Sequence, residues 1–272
     1  MHVNLKLART QSWLLISIYL IASPAFANQP EDPCAGASAV LNLVDRPTQS
    51  DSACAVKYKQ ALLEAGFQYQ KLRSSAHEEN FPETELRLGL PANNELSIFL
   101  PNYVHQTVLP YSGNTATVVG LKHQIGYTLH WNGAVEILVT LPSNNKNFGS
   151  QSMGSVINGI VSYTFNPKCN LTFQLGGGTQ TAANYNGGQR YSTVNPDLVF
   201  TYSPTEKIDV YGETYGASRT GPSQGSGFNA DAGVLFLVLP NMAIDLEYGQ
   251  RISGNLLGFQ HYIGSGLTMR FG

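Results

Sequence analysis

Ten carboxylates fall at positions that alternate with mostly apolar neighbours: Glu64, Glu85, Glu95, Glu136, Asp197, Asp209, Glu213, Asp231, Asp245 and Glu247. Positive charge on the same parity comes from Arg87, Lys122 and Arg270. If one enclosed surface gathers these groups, they must pair, bind cations or share water, because an isolated buried charge is costly. Two outcomes are open: an acidic pathway that disfavours anions and admits neutral or cationic solutes, or a satisfied network that seals the interior.

Other chemistry has thinner support. His77-Glu78-Glu79 offers contiguous metal ligands without the spacing of a firm site. His77 and His105 are not accompanied by a serine and a compact asparagine motif that would activate a nucleophile. Gly176-Gly177-Gly178 lacks the strand-to-helix context of a phosphate loop and suits a bend or close approach within a strand. Asn170-Leu171-Thr172 matches a glycosylation pattern but lies inside an expected strand. No catalytic residue, metal ligand or cofactor is assigned, and an enzyme is not expected.

The elements that position the acids begin after the N-terminus. Lys6 and Arg9 precede an apolar stretch at 13–22, then Ser23-Pro24-Ala25-Phe26-Ala27 and a polar segment. This order predicts a cleavable signal peptide, cut between Ala27 and Asn28. The apolar run falls short of the roughly 20 residues that a spanning helix needs. Without Lys6 and Arg9 the chain has 14 basic and 18 acidic residues, which gives no basic face for a nucleic-acid partner. Apolar runs after the signal are too short for helical spans, so membrane residence calls for a barrel.

Alternation sets the fold class. Leu86, Leu88 and Leu90 alternate with Glu85, Arg87 and Gly89, and Met242, Ile244, Leu246 and Tyr248 alternate with Ala243, Asp245, Glu247 and Gly249. Twelve such strands are expected, at about 61–72, 84–90, 95–100, 116–130, 134–141, 155–165, 169–178, 193–202, 207–217, 228–239, 242–250 and 258–271. Their connections alternate long and short. The short ones carry turn residues in Pro91-Ala92-Asn93-Asn94, Trp131-Asn132-Gly133, Asn166-Pro167-Lys168, Ser203-Pro204-Thr205-Glu206 and Pro240-Asn241. A soluble sandwich shares the alternation, but short turns at one end and long loops at the other are the pattern of an all-β transmembrane up-and-down barrel. An even strand number puts both ends in the periplasm.

Trp131, Phe165, Tyr202 and Phe271 end the strands that run toward the periplasm, where a girdle is expected. Outer-membrane lipid is thus one expected partner. The last strand, with Ile263, Leu267, Met269 and Phe271 on one parity, resembles the signal read by barrel-assembly machinery, although it finishes on Gly272. His123 falls on the lipid parity, which suggests a register shift or bulge. Residues 28–60 form a periplasmic leader, with a short helix expected at 52–62, and 61–272 the barrel. Cys34, Cys54 and Cys169 would all be periplasmic and oxidisable. Cys34 with Cys54 is the expected pair; Cys54 with Cys169 is a rival that would tether the leader beneath or inside the barrel.

Asp45-Arg46-Pro47-Thr48-Gln49-Ser50, Leu63-Glu64-Ala65-Gly66-Phe67, Glu85-Leu86-Arg87-Leu88-Gly89-Leu90 and Gly120-Leu121-Lys122 follow one another in a recognisable order. Val210-Tyr211-Gly212-Glu213-Thr214-Tyr215-Gly216, Asn229-Ala230-Asp231-Ala232-Gly233, Ala243-Ile244-Asp245-Leu246 and Gly264-Ser265-Gly266-Leu267-Thr268-Met269-Arg270-Phe271 continue it. From about residue 45 onward the chain resembles the outer-membrane transporter family named after the meta-pathway of phenol degradation. The resemblance implies a β-barrel that passes small, often aromatic or hydrophobic solutes, without fixing the solute. It supplies no catalytic residues. The alternatives are a sealed structural or adhesion barrel and a membrane-embedded lipid hydrolase.

Overall fold

The computed structural model describes residues 32–36, 39–73, 75–145, 147–183 and 186–272; the expected signal peptide and the Ala27–Asn28 cleavage lie outside them. One short helix, α1 (Ala39–Leu43), precedes the strands. These are β1 (Ala61–Leu72), β2 (His77–Phe81), β3 (Glu85–Leu90), β4 (Asn94–Phe99), β5 (Tyr103–Gln106), β6 (Ser112–Asn114), β7 (Val118–Tyr127) and β8 (Trp131–Thr140). They continue as β9 (Gly154–Asn166), β10 (Cys169–Thr181), β11 (Arg190–Thr205), β12 (Ile208–Ala217), β13 (Gly227–Leu239), β14 (Met242–Ser253) and β15 (Phe259–Phe271).

Twelve of the strands form a closed antiparallel barrel: β1, β3, β4 and β7 to β15 in sequence order, sealed by β15 against β1. The other three continue the wall outward. Along β1, Ala61 to Glu64 pair with β3, whereas Gln68 to Lys71 pair with β2. β2 and β3 are thus two pieces of one strand, interrupted around Pro82, which has no N–H to give the ladder. β4 and β5 are likewise interrupted around Pro101, and β5 pairs with β2 and β6. The expected loops at 73–83 and 101–115 therefore contain strands. HEENF in β2 has no two-residue alternation of apolar and polar residues, while β5 buries Val104 and Gln106 on one parity but is only four residues long.

Three local expectations change. The turn expected at Trp131-Asn132-Gly133 lies earlier, since β8 begins at Trp131, and the later turn falls at Glu206–Lys207, beyond Pro204. The helix expected at 52–62 is absent. Residues 53–56 are buried inside the barrel without helical structure, where Glu95 of the wall takes the Val56 N–H, a turn at 58–59 leads into β1, and the helix is α1 instead.

Outward side chains form an apolar belt, with Ile137, Ile157, Leu198, Phe200, Leu246 and Ile263 all exposed. Trp131, Phe165, Tyr202 and Phe271 are exposed at the short-turn end, where Tyr163 packs 4.5 Å from Trp131 and 4.9 Å from Phe165 between ring centroids. Such a belt with aromatic rims is the surface of a barrel that sits in a bilayer. His123 is outward and takes a 3.0 Å hydrogen bond with Asn94 Oδ1 beside a short turn, and the ladder does shift between Gln124 and Gly126. No helix among the described residues is long and apolar enough to cross a membrane.

The leader fills the barrel with what apolar core it has. Val40, Leu41 and Val44 pack on Val199, Tyr211, Leu235 and Ala243 of the β11–β14 wall. Leu43, Cys54 and Val56 pack on Leu62, and Ala53 packs on Ala134 and Ile160. Burying these aliphatic groups is worth about 1.5–3 kcal/mol for each large side chain, which is what draws an otherwise polar segment into the bore.

Candidate functional site

The inward parity brings the acids together, and the leader is what most of them hold. Glu64, wholly buried, accepts the backbone N–H of Asp45 at 3.2 Å and of Arg46 at 2.9 Å. Glu213 accepts Gln49 N–H at 3.0 Å through each oxygen and Ser50 N–H at 2.9 Å. Glu95 accepts Val56 N–H at 2.6 Å, and the neutral Gln174 accepts Asp51 N–H at 2.9 Å. A chain segment threaded through a barrel has no neighbouring strand to take its amides, so side-chain acceptors must.

The cations close the network. Arg87 is wholly buried; its Nε lies 2.7 Å from Glu95, its Nη1 lies 3.1 Å from both Asp45 and Glu64, and it also donates to the carbonyls of Leu43 and Cys54. Lys122 reaches Asp45 at 3.0 Å, Glu95 at 3.9 Å and Glu136 at 4.0 Å. Asp45, Glu64 and Glu85 bring carboxylate oxygens within 4.8 Å of one another, and the Arg87 guanidinium supplies the positive charge among them. Further along the same wall, against β1, β15 and β14, Arg46 of the leader pairs with Glu83, Asp245 at 3.6 Å and Glu247 at 3.5 Å.

The remaining expected positions are also placed. Asp231 lies opposite Glu213 and accepts a 2.9 Å hydrogen bond from Tyr262. Asp197 and Asp209 are buried, Asp197 lining a cavity toward the long loops and Asp209 one toward the short turns. Arg270 stays outside the network and donates to the Pro240 carbonyl at 3.4 Å. Asp45, Arg46 and Asp51 had no strand periodicity to mark them, although the Asp45-Arg46-Pro47 run contains the two charges that lock the leader. In this leader, outside the spanning strands, burial raises the carboxyls of Asp45 and Asp51; Arg87 and Lys122 oppose the rise at Asp45, and Glu136 adds to it at Asp51.

Cys34 and Cys54 form a disulfide with Cα atoms 5.4 Å apart, and Cys169 is a free thiol lining the short-turn cavity. The bridge pins both ends of a loop whose apex, residues 46–51, reaches across the bore. Serine at both positions is expected to cost the leader about 3 kcal/mol by releasing the closure entropy of a loop this size. Limited trypsin digestion at Lys57 would then be faster than in the wild type; unchanged cleavage would contradict the bridge's role.

Among the described residues, the lumen holds a cavity toward each end. One, about 490 Å³, opens toward the short turns and is lined by residues such as Trp131, Thr164, Thr201 and Tyr211. The other, about 340 Å³, lies toward the long loops beside Gln180, Tyr191, Asp197 and Leu256. Asp51 lines both.

Among solved structures, an outer-membrane channel from Pseudomonas putida F1 is similar, with TM-score 0.59 and 8% identity over 82% of this chain and 100% of its own. KdgM porin gives TM-score 0.55 at 9% identity over 78% and 99%, and NanC porin 0.53 at 12% over 77% and 98%. These likenesses concern the fold. A comparison with curated protein sequences gives no match. Residues 45–270, from the first charge of the leader network to the end of the closing strand, match the profile described as "Putative MetA-pathway of phenol degradation", and the chain belongs to that family.

Proposed function

We propose that the protein is an outer-membrane channel for small solutes, aromatic or hydrophobic ones included, closed in this conformation by its own leader. The observation that carries the reading is a cavity toward each end of one bore, both bordered by Asp51 of the leader. The similar Pseudomonas putida protein is an outer-membrane channel and KdgM and NanC are porins, which supports the reading. The family's description supports aromatic solutes. Ile263 and Leu267 on the outer face of the closing strand, with Phe271 at its end, are the surface that barrel-assembly machinery would take up.

The second reading, a sealed structural barrel, draws on the density of the leader network. The hydrolase reading needs a serine activated by His77 or His105. Among the described residues neither imidazole is hydrogen-bonded to one, and His77 instead stacks on Tyr69 at 5.4 Å.

Single-channel recording in a planar bilayer tests the proposal. The wild type is expected to show rare, brief openings, and a variant lacking residues 32–56 a steady conductance. Without the leader, Glu213, Asp231, Asp245 and Glu247 face water, so that conductance should prefer cations. Asp245→Asn with Glu247→Gln should lower the preference, read as the reversal potential under a salt gradient. A folded, heat-modifiable barrel that conducts in neither form would favour the sealed reading.

A further inference from the structure

The acids of the bore are not all paired with cations. Asp45, Glu64 and Glu95 share Arg87 and Lys122, and Asp245 and Glu247 share Arg46. On β11 to β13 the balance is different. Asp197, Glu213 and Asp231 are each more than nine-tenths buried, yet among the described residues no Lys, Arg or His nitrogen comes within 4.0 Å of their oxygens. Glu213 is taken up by the N–H groups of Gln49 and Ser50, and one oxygen of Asp231 by the Tyr262 hydroxyl. Asp197 Oδ1 and Asp231 Oδ1 have no hydrogen-bond partner. Neither has the hydroxyl of Tyr215, which lies directly opposite Asp197 in the ladder and is itself only 5% exposed. Buried carboxylates without countercharge and an idle buried hydroxyl are both costly, and the species that relieves them together is a cation.

The surroundings decide what kind of cation. Asp197 and Tyr215 line the cavity of about 340 Å³ toward the long loops. On other strands the inner face turns apolar at this level: the parity that carries Glu95, Glu136 and Asn158 continues toward the loops as Phe99, Leu138 and Val156, all lining the same cavity. Leu256 of the last long loop lines it as well and packs on Tyr215. A metal ion needs several oxygens converging on one point. Among the described residues Asp45, Glu64 and Glu85 bring three that close, and the β11 to β13 acids do not. A cavity with one acid and hydroxyl corner and an apolar, partly aromatic remainder suits an ammonium on a ring-bearing body, since aromatic faces attract the cation as well. The other charges nearby leave Asp197 uncompensated. Asp51 is bonded by Asn158 and faces Glu136, while Arg219 on the lining and Arg251 opposite Asn229 form no ion pair among the described residues.

We infer that the cavity toward the long loops is a binding site for small aromatic cations, with the ammonium at Asp197 and Tyr215 and the ring on the apolar lining around Leu256. As the outer entry site of a channel it rests on the channel reading; as a binding site it does not. It adds to that reading a place and a solute class that is aromatic and positively charged.

The test is a fluorine NMR titration of the full-length protein in lipid nanodiscs, with 4-fluorobenzylamine as the probe and empty nanodiscs as the blank. Saturable binding is expected, tighter than that of 4-fluorobenzyl alcohol or 4-fluorophenylacetate. Asp197→Asn should weaken the amine about tenfold, the loss of one charge-assisted bond, and leave the alcohol unchanged. Tyr215→Phe should weaken the amine about threefold, which keeps the test open if Asp197→Asn fails the heat-modifiable gel shift. Leu256→Asn should weaken the amine and the alcohol alike, since both rest a ring there.

Equal affinity for the amine and the alcohol would overturn the charge selection, and tighter binding of the phenylacetate, drawn by Arg219, would overturn the solute class. Full amine affinity in both Asp197→Asn and Tyr215→Phe would overturn the site. Steady conductance of a leaderless barrel with no amine binding to the full-length protein would overturn the site alone. Amine binding, lost in Asp197→Asn, by a barrel that conducts neither with nor without its leader would support the site and overturn the channel reading.

Discussion

Arg87→Ala is expected to destabilise the protein by about 3–5 kcal/mol, because it strands buried acids rather than merely deleting contacts. Asp45, Glu64, Glu85 and Glu95 are all buried around this guanidinium, and Lys122 would be left as the nearby cation. The Leu43 and Cys54 carbonyls would also lose their donor. Arg87→Lys should recover only part of the loss, since one ammonium cannot reproduce a fork that serves Glu64 and Glu95 at once. Urea unfolding in detergent, followed by the heat-modifiable gel shift, measures this. If Arg87→Ala unfolded within about 0.5 kcal/mol of the wild type, as an ordinary surface substitution does, the network would not be what holds the leader to the wall.

Glu213→Leu should produce a different split: a looser leader in an intact barrel. Two backbone N–H groups, those of Gln49 and Ser50, would lose their acceptor. Each costs about 1–3 kcal/mol if left buried and unpaired. The wall is relieved at the same time, because Glu213 lies directly opposite Asp231 in the ladder and like charges there repel. Hydrogen exchange should therefore quicken at Gln49 and Ser50 while the barrel strands keep their protection. Glu213→Gln, which retains a carbonyl oxygen, should fall between. Unchanged exchange at those two amides would show that the apex is held by something else.

The strands and the acid set could be read from residue order because a β-strand shows its two faces at a period of two. Glu136, Asp197, Glu213 and Asp245 announce the inner face wherever apolar residues mark the outer one. Where a segment has no lipid behind it the signal lapses. β2 carries no such alternation and β5 and β6 are only four and three residues long, so none stood out, and the turns beside Trp131 and Pro204 were displaced because turn-favouring residues sit within long strands.

What the sequence alone determined is the class of the object: a twelve-stranded membrane barrel with an acidic interior, an aromatic rim and a cysteine-bearing leader. All of these follow from local alternation and composition. What only the tertiary structure decided is what the acids are for. Ten carboxylates on one parity are equally compatible with an open acidic bore and a sealed one. The choice depends on whether residues 45–56, which have no periodicity of their own, lie outside the barrel or inside it. Folded inside, their amides need acceptors and their charges need partners, and Glu64, Glu95, Glu213, Arg87 and Lys122 supply them. The leader's partners lie from 18 residues away, for Arg46 and Glu64, to 163 away, for Ser50 and Glu213, and no local pattern records which part of the wall each leader residue will meet.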